Sequence, residues 1–312
     1  MTEVNYAIRN DEYAIQPQPP IDYIVNDLIT NSSLNVFYGE AGSKKTYSAL
    51  SMAVSVANGK EWLGFKTKKS PVLIIDEESG EKRLSRRINE TMKGMDCLST
   101  GQLYFISLAG FKLDNKDDVR TIESEINKLG AKLVIFDALA DIMDGDENAK
   151  KDVQPVMNNL RKIADNTDSS IILIHHANKG GGYRGSTAIK ASSDLMVQVS
   201  SDLDDSVISF KTEKNRDGTY IGWSAEASWE DDAFYLLPTS PVQRSSSREE
   251  FVLNFLRENG ESSISEIIKS PIGCTVQGAR KAIFSLAKSG DIIRVNPEDK
   301  TKSAIYKIVE SR

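Results

Sequence analysis

The run Gly39-Glu40-Ala41-Gly42-Ser43-Lys44-Lys45-Thr46 is where residue type and spacing first suggest chemistry. An apolar segment precedes it and a helix-forming segment follows. Its spacing fits the phosphate-loop pattern G-x-x-x-x-[G]-K-[ST], with Lys45-Thr46 as the closing pair. Such a loop aims successive backbone N–H groups at phosphate oxygens, and the next helix adds the positive end of its dipole. Lys45 would reach the β- and γ-phosphates, and Thr46 would ligate Mg²⁺ through its hydroxyl, so the expected ligands are ATP and Mg²⁺. Lys44 stands where the pattern has its second glycine. Taking Lys44 as the phosphate lysine fails, because Lys45 would then occupy the hydroxyl position and cannot bind Mg²⁺. Lys44 therefore either adds positive charge near the phosphates or crowds them.

Three further groups belong to the same chemistry. Leu133–Asp137, LVIFD, is an apolar strand ending in a carboxylate, and Asp137 is expected to hold a Mg²⁺-bound water beside Thr46. The strand from Val72 ends in DEES, where a carboxylate at the strand's C-terminal end faces the ligand crevice of a parallel sheet and could orient and deprotonate an attacking water. A solvated acidic loop would account equally well for two of those three acids. His175 and His176 are the only histidines. Neighbouring strand residues point to opposite faces, so they do not make a metal pair. One reading is a structural strand end, the other a polar group that senses the γ-phosphate.

These groups require elements that bring them to one edge. Strand candidates are Asn35–Tyr38, Val72–Asp76, Leu103–Leu108, Leu133–Asp137 and Ile171–His175; helix candidates are Lys45–Ala57, Glu81–Met95, Val119–Leu129 and Asp152–Asn166. Short continuous apolar strands between helices predict an α/β fold with a mostly parallel central sheet covered on both faces. From Leu195 to Leu237 the pattern turns β-rich, read as the antiparallel edge of that sheet. Pro238–Ser247, PTSPVQRSSS, reads as a linker. Beyond it, Arg248–Glu258, Ile264–Lys269 and Thr275–Ser289 are helix candidates, and Ile292–Val295 with Ala304–Val309 forms a hairpin. Three helices and a β-wing predict a small winged helix. The expected division is an ATPase domain over 1–237, a linker over 238–247 and a winged-helix domain over 248–312.

Bulk properties narrow the function classes. Net charge is −6, from 39 Lys+Arg against 45 Asp+Glu, so the molecule is not a basic coat for nucleic acid. Residues 245–312 carry 11 basic and 9 acidic side chains, so contact with nucleic acid must come from local patches. No apolar run approaches the roughly 18 residues of a membrane span. The polar start MTEVNYAIRNDEY is not a signal peptide, and the two distant cysteines, Cys97 and Cys274, suit a reducing cytoplasm.

With the motifs placed, residues 20–225 resemble the RepA-like hexameric replicative helicases, within the wider RecA-like and DnaB-type P-loop ATPases. The resemblance lies in IDYIVNDLITNSSLNVFYGEAGSKKT, VLIIDEESGEKRLSRRI, LVIFDALADIMDGDEN, IILIHHANKG, YRGSTAIKASSDL and KTEKNRDG, in that order. It implies Glu78 as the catalytic glutamate, with Arg87 nine residues on, and the double histidine beside the γ-phosphate. It also implies that Lys214 and Arg216 enter a neighbouring subunit's site. The partners it implies are further copies of the chain in a hexameric ring, with single-stranded DNA in the channel. The channel loops would be Asp141–Lys151 and Ala177–Thr187. In the second, Lys179 and Arg184 could contact phosphates and Tyr183 could stack on a base, although a flexible surface loop would read the same. On the winged helix, Gln277, Arg280 and Lys281 could face a duplex groove and Lys300 and Lys302 its backbone, while many winged helices only join proteins.

Three functions fit these readings. The first is an ATP-dependent, single-stranded-DNA-stimulated replicative helicase or translocase. The second is a RecA-like ATPase that loads or remodels other replication or recombination proteins. The third is a DNA-binding regulator whose ATP site is a conformational switch.

Overall fold

The structure is a computed structural model that describes residues 9–17, 19–177, 186–201, 206–239, 243–245, 248–269, 276–297 and 304–309. A short helix α1 (Asp11–Ala14) and a small hairpin, β1 (Tyr23–Val25) with β2 (Ile29–Thr30), precede the main sheet. Then follow β3 (Leu34–Gly39), α2 (Lys45–Asn58), β4 (Val72–Asp76), α3 (Glu81–Gly94), β5 (Leu103–Ser107), α4 (Lys116–Leu129), β6 (Leu133–Asp137), α5 (Lys150–Thr167), β7 (Ser170–His176), α6 (Thr187–Ser192) and β8 (Leu195–Ser200). The strands β9 (Val207–Asn215), β10 (Tyr220–Glu230), β11 (Ala233–Pro238) and β12 (Gln243–Ser245) complete the sheet.

The strand order is β11-β10-β9-β8-β3-β7-β6-β4-β5, with β12 also paired to β10. The strands from β8 to β5 run parallel, and β9 to β12 are antiparallel. This is a mixed α/β arrangement around a largely parallel sheet, as expected for a RecA-like P-loop domain. Alternation along each buried strand explains its two apolar faces. Phe37, Ile74 and Ile135 pack with α2 and α3 on one face. Val36, Leu73 and Val134 pack with α4 and α5 on the other. All six are essentially fully buried, so truncating any of them to Ala would cost about 2–5 kcal/mol.

The five strand and four helix candidates of the α/β part are found within a residue or two, except that α4 begins three residues early, at Lys116. At that start Asn115 accepts from the Asp117 and Asp118 N–H groups, which caps α4 ahead of its apolar stripe. Two expectations change. Leu195–Ser200 is not part of the antiparallel edge: β8 pairs parallel with β3, and the direction reverses only at β9. The sheet also extends into the expected linker, because Gln243–Ser245 pairs with Tyr220–Gly222. β11 reaches only from Ala225 onward along β10, which leaves an open edge that β12 fills.

Beyond residue 247 lie α7 (Arg248–Asn259), α8 (Ile264–Lys269) and α9 (Val276–Ser289). With them is a small sheet of β13 (Ser262–Ser263), β14 (Ile292–Arg294) and β15 (Ile305–Ile308) in the order β13-β15-β14. Phe251, Val252, Ile267, Ala279 and Ile283 form an apolar cluster separate from those of the large sheet.

Candidate nucleotide site

The loop between β3 and α2 depends on a close backbone approach. A Cβ on Gly39 would lie 2.1 Å from the Val199 carbonyl oxygen of β8, so only glycine fits where these strands meet the loop. Lys44, at the N-terminus of α2, has φ 63° and ψ 27°. Glycine favours that left-handed region, which costs another residue roughly 1–2 kcal/mol. Its carbonyl accepts from the Ser48 N–H and hydroxyl, starting the helix. Its ammonium donates to Ser201 Oγ at 2.8 Å. Lys44 lines the cleft with its head tied to Ser201, just beyond the end of β8.

Lys45 is buried, and its Nζ donates to the carbonyls of Gly39 at 2.9 Å and Glu40 at 2.7 Å. Burial holds its pKa below the usual lysine value, with Asp137 and Glu78 opposing. Thr46 Oγ1 donates to Asp137 Oδ2 at 2.7 Å. The other carboxylate oxygen, Asp137 Oδ1, is buried with no hydrogen-bond partner among the described residues. Burial, reinforced by Asp76 and Glu78, pushes the Asp137 pKa up to about 7. A hydroxyl beside an unsatisfied buried carboxylate oxygen suits Mg²⁺ and its waters, and a divalent charge there would return Asp137 to its ionised form.

The three acids after β4 take different environments. Asp76 is buried; its Oδ1 accepts from the Glu78 N–H at 2.9 Å and the Ser79 N–H at 2.6 Å, which turns the chain. Glu77 accepts from the Ala109 and Gly110 N–H groups at 3.1 and 2.9 Å, bracing the loop after β5. Glu78 is exposed and lines the cleft with Lys45, Thr46 and Asp137. The histidines also divide. His176 lines the cleft, whereas His175 is fully buried with Nδ1 3.8 Å from Glu147 Oε2.

Lys214 and Arg216 do not join this cleft. β9 runs antiparallel to β8, and Lys214 pairs with Met196, toward the strand end opposite the phosphate loop. Lys214 Nζ donates to the carbonyls of Lys190, Ala191 and Ser193 at the end of α6, where a cation suits the helix dipole. Arg216 Nη1 pairs with Asp194 Oδ1 at 3.1 Å and remains half exposed. The nucleic-acid expectations are reached only in part. Lys179, Tyr183, Arg184, Lys300 and Lys302 lie outside the described residues, as does the side chain of Gln277. Arg280 and Lys281 are exposed on α9. The loop Asp141–Lys151 is acidic and tied to its neighbours: Lys112 Nζ meets Asp144 at 3.2 Å, and the Asp146 N–H donates to Asp152 in α5.

Two lining residues had no signal in the motifs. Tyr47 follows Thr46 directly, and Trp229 arrives from the end of β10; with Arg87 they bound a cleft of about 400 Å³. Only the pairing of β10 and β11 brings Trp229 here, and no local pattern announces that.

Comparison with known proteins gives a consistent placement. A family model described as an AAA domain matches residues 7–182. One solved structure, described as an ATPase domain, superposes with a TM-score of 0.51 at 15% identity, covering 66% of this chain and 85% of that one. A DnaB-like replicative helicase, described together with its interactions with primase, gives a TM-score of 0.56 at 14% identity, covering 72% of this chain and 66% of that one. At such identities the likeness is one of fold.

Proposed function

We propose, for a chain that belongs to the AAA domain family of P-loop ATPases, that it is a single-stranded-DNA-stimulated replicative helicase or translocase working as a hexameric ring. The observation that carries this reading is one cleft holding Lys45, the Thr46–Asp137 pair and Glu78. Bound Mg²⁺ would neutralise charge on the β- and γ-phosphates. Lys45 exchanges its two loop carbonyls for phosphate oxygens and follows the γ-phosphate as charge moves in the transition state. Glu78 accepts the proton of the attacking water. His176 shares the cleft wall and can report whether a γ-phosphate is present.

Arg216 and Lys214 lie toward the far end of their strands, so any phosphate they serve belongs to a neighbouring copy. Arg216 is the better placed, because Lys214 already holds three carbonyls. Single-stranded DNA contacts Lys179, Tyr183 and Arg184 in the segment before α6, and the C-terminal helices act as a winged helix whose exposed Arg280 and Lys281 meet duplex DNA. The exposure of those two residues is also what favours the second reading, a DNA-bound regulator with an ATP switch.

Measuring steady-state ATP turnover with and without single-stranded DNA separates the two readings. A helicase or translocase should accelerate severalfold on single strands, and Lys45→Ala should remove turnover in both conditions. Turnover indifferent to single strands, together with sequence-specific duplex binding that depends on Arg280 and Lys281, would replace the helicase reading with the regulator.

A further inference from the structure

Of three tryptophans, Trp62 and Trp223 are 1% exposed in the core, while Trp229 is 48% exposed. An indole so open to water on the wall of a cleft that also carries Lys44, Lys45 and Glu78 is unusual unless something flat covers it. Its position is rigid. Trp229 pairs with Phe234 across β10 and β11. The turn beyond it, Asp231–Asp232, has both φ angles positive, at 48° and 58°, as tight hairpin turns require. The hairpin is seated on α3, where a Cβ on Gly94 would lie 1.9 Å from the Phe234 carbonyl oxygen. The Trp229 ring packs edge-on against Tyr47 at 5.2 Å and tilted against Phe234 at 4.8 Å.

The neighbours of Trp229 are held as firmly. Tyr47 donates its hydroxyl to Glu90 at 2.8 Å. Arg87 donates to Ser79 Oγ at 3.0 Å, and its guanidinium carbon sits 5.6 Å from the Tyr47 ring centre. An indole and a guanidinium around a phenol, all lining the cleft that also holds Lys45 and Thr46, are the groups that bind the π face of a nucleobase.

We propose that Trp229, with Arg87 and Tyr47, forms the base-binding wall of the nucleotide cleft and stacks on the purine of a bound nucleoside triphosphate. This rests on the reading of the loop 39–46 as a phosphate site and adds to it the part of the ligand that the loop does not touch. Stacking reads ring area rather than hydrogen-bonding edges, so the wall prefers purines to pyrimidines and separates adenine from guanine only weakly.

The test titrates the full-length chain with the Mg²⁺ complexes of ATP, GTP, UTP and inorganic tripolyphosphate. Affinity is followed by calorimetry, and tryptophan emission is excited at a wavelength the bases do not absorb. ATP and GTP should bind alike, UTP more weakly and tripolyphosphate most weakly. Emission should change with the purine nucleotides and not with tripolyphosphate. Trp229→Ala should weaken ATP about tenfold or more and abolish the emission change while leaving tripolyphosphate binding as it was. Trp229→Phe, which keeps a stacking face, should restore most of the affinity. If wild-type protein binds neither ATP nor tripolyphosphate, the phosphate-site reading and this inference fall together. If both bind and Trp229→Ala leaves ATP affinity intact, or weakens both ligands equally, the inference alone is overturned. An emission change that follows protein dilution and not nucleotide would also overturn it, by assigning Trp229 to a contact between copies.

Discussion

Asp76, Glu77 and Glu78 are adjacent carboxylates with almost the same intrinsic chemistry, and the backbone sorts them. Glu77 spends both oxygens and Asp76 one oxygen on backbone N–H groups, the other Asp76 oxygen is buried with no hydrogen-bond partner among the described residues, and Glu78 is left facing the cleft. Glu78→Gln should therefore still bind ATP while turnover falls about 10²- to 10⁴-fold, the usual loss of a general base. Glu77→Gln should lose far less activity, since an amide oxygen can still accept from Gly110. Equal losses in single-turnover assays would leave the choice between them as open as the sequence alone leaves it. Asp137 makes a second residue-scale prediction. Its folded pKa of about 7 stands above the ordinary 3.8, so the folded state holds this proton more tightly than the unfolded state. Its contribution to stability is thus fully present below about pH 4 and declines as pH rises toward 7. The gap between those two values corresponds to about 4 kcal/mol lost by pH 8. Asp137→Asn should raise the melting temperature of the nucleotide-free protein at pH 8 much more than at pH 4, and should remove the stabilisation that MgATP gives the wild type. Thermal melts in which the variant gains nothing at pH 8 would mean that Asp137 is not strained by burial.

At the scale of elements, the parallel core was legible because a strand buried on both faces must be continuously apolar, and Val72–Asp76 and Leu133–Asp137 are. β8 was harder to read. LMVQVS carries no mark of its direction, and only its place beside β3 makes it parallel. β12 was hidden because its sequence says linker, while the open edge of β10 that recruits it lies elsewhere in the chain. The phosphate loop and Asp137 were legible from spacing, since a loop between a strand and a helix fixes the position of both Lys45 and Thr46. Trp229 was not, because Gly94 and the Asp231–Asp232 turn place it across the fold. Lys44 lies between these cases: the sequence marks it as a departure, and the helix start shows how it is accommodated. Relieving its left-handed backbone in Lys44→Gly gains roughly 1–2 kcal/mol, offset by the lost Ser201 hydrogen bond at about 1 kcal/mol and by the greater freedom of glycine when unfolded. The variant should unfold within about 1 kcal/mol of wild type in denaturant and keep its ATP turnover. A loss of turnover with stability intact would give the Lys44 ammonium a direct part in handling phosphate.

For the whole molecule, a net charge of −6 makes global attraction to nucleic acid weak, so under the proposed reading any coupling between ATP and DNA would run through an assembly that concentrates a few basic side chains. The sheet suggests how copies would be linked. The phosphate loop stands at one end of the parallel strands, and Arg216 lies toward the other end, on the loop after β9. Its half-exposed side chain is tethered to Asp194 and the Ala191 carbonyl. The resemblance of KTEKNRDG to the segment that enters a neighbour's site implies that assembly draws Arg216 from Asp194 to the next subunit's γ-phosphate, a stronger partner for a guanidinium. An arginine fixed by Asp194 to support α6 alone would give the same contacts in a single chain. Mixing two variants separates these possibilities. Arg216→Ala and Lys45→Ala should each be nearly inactive alone. In a mixed ring, some interfaces pair an intact phosphate loop with an intact Arg216, so partial turnover should return, and it should rise with protein concentration as rings form. Full activity of Arg216→Ala alone, or no recovery after subunit exchange has been verified by labelled copies, would confine Arg216 to its ion pair with Asp194.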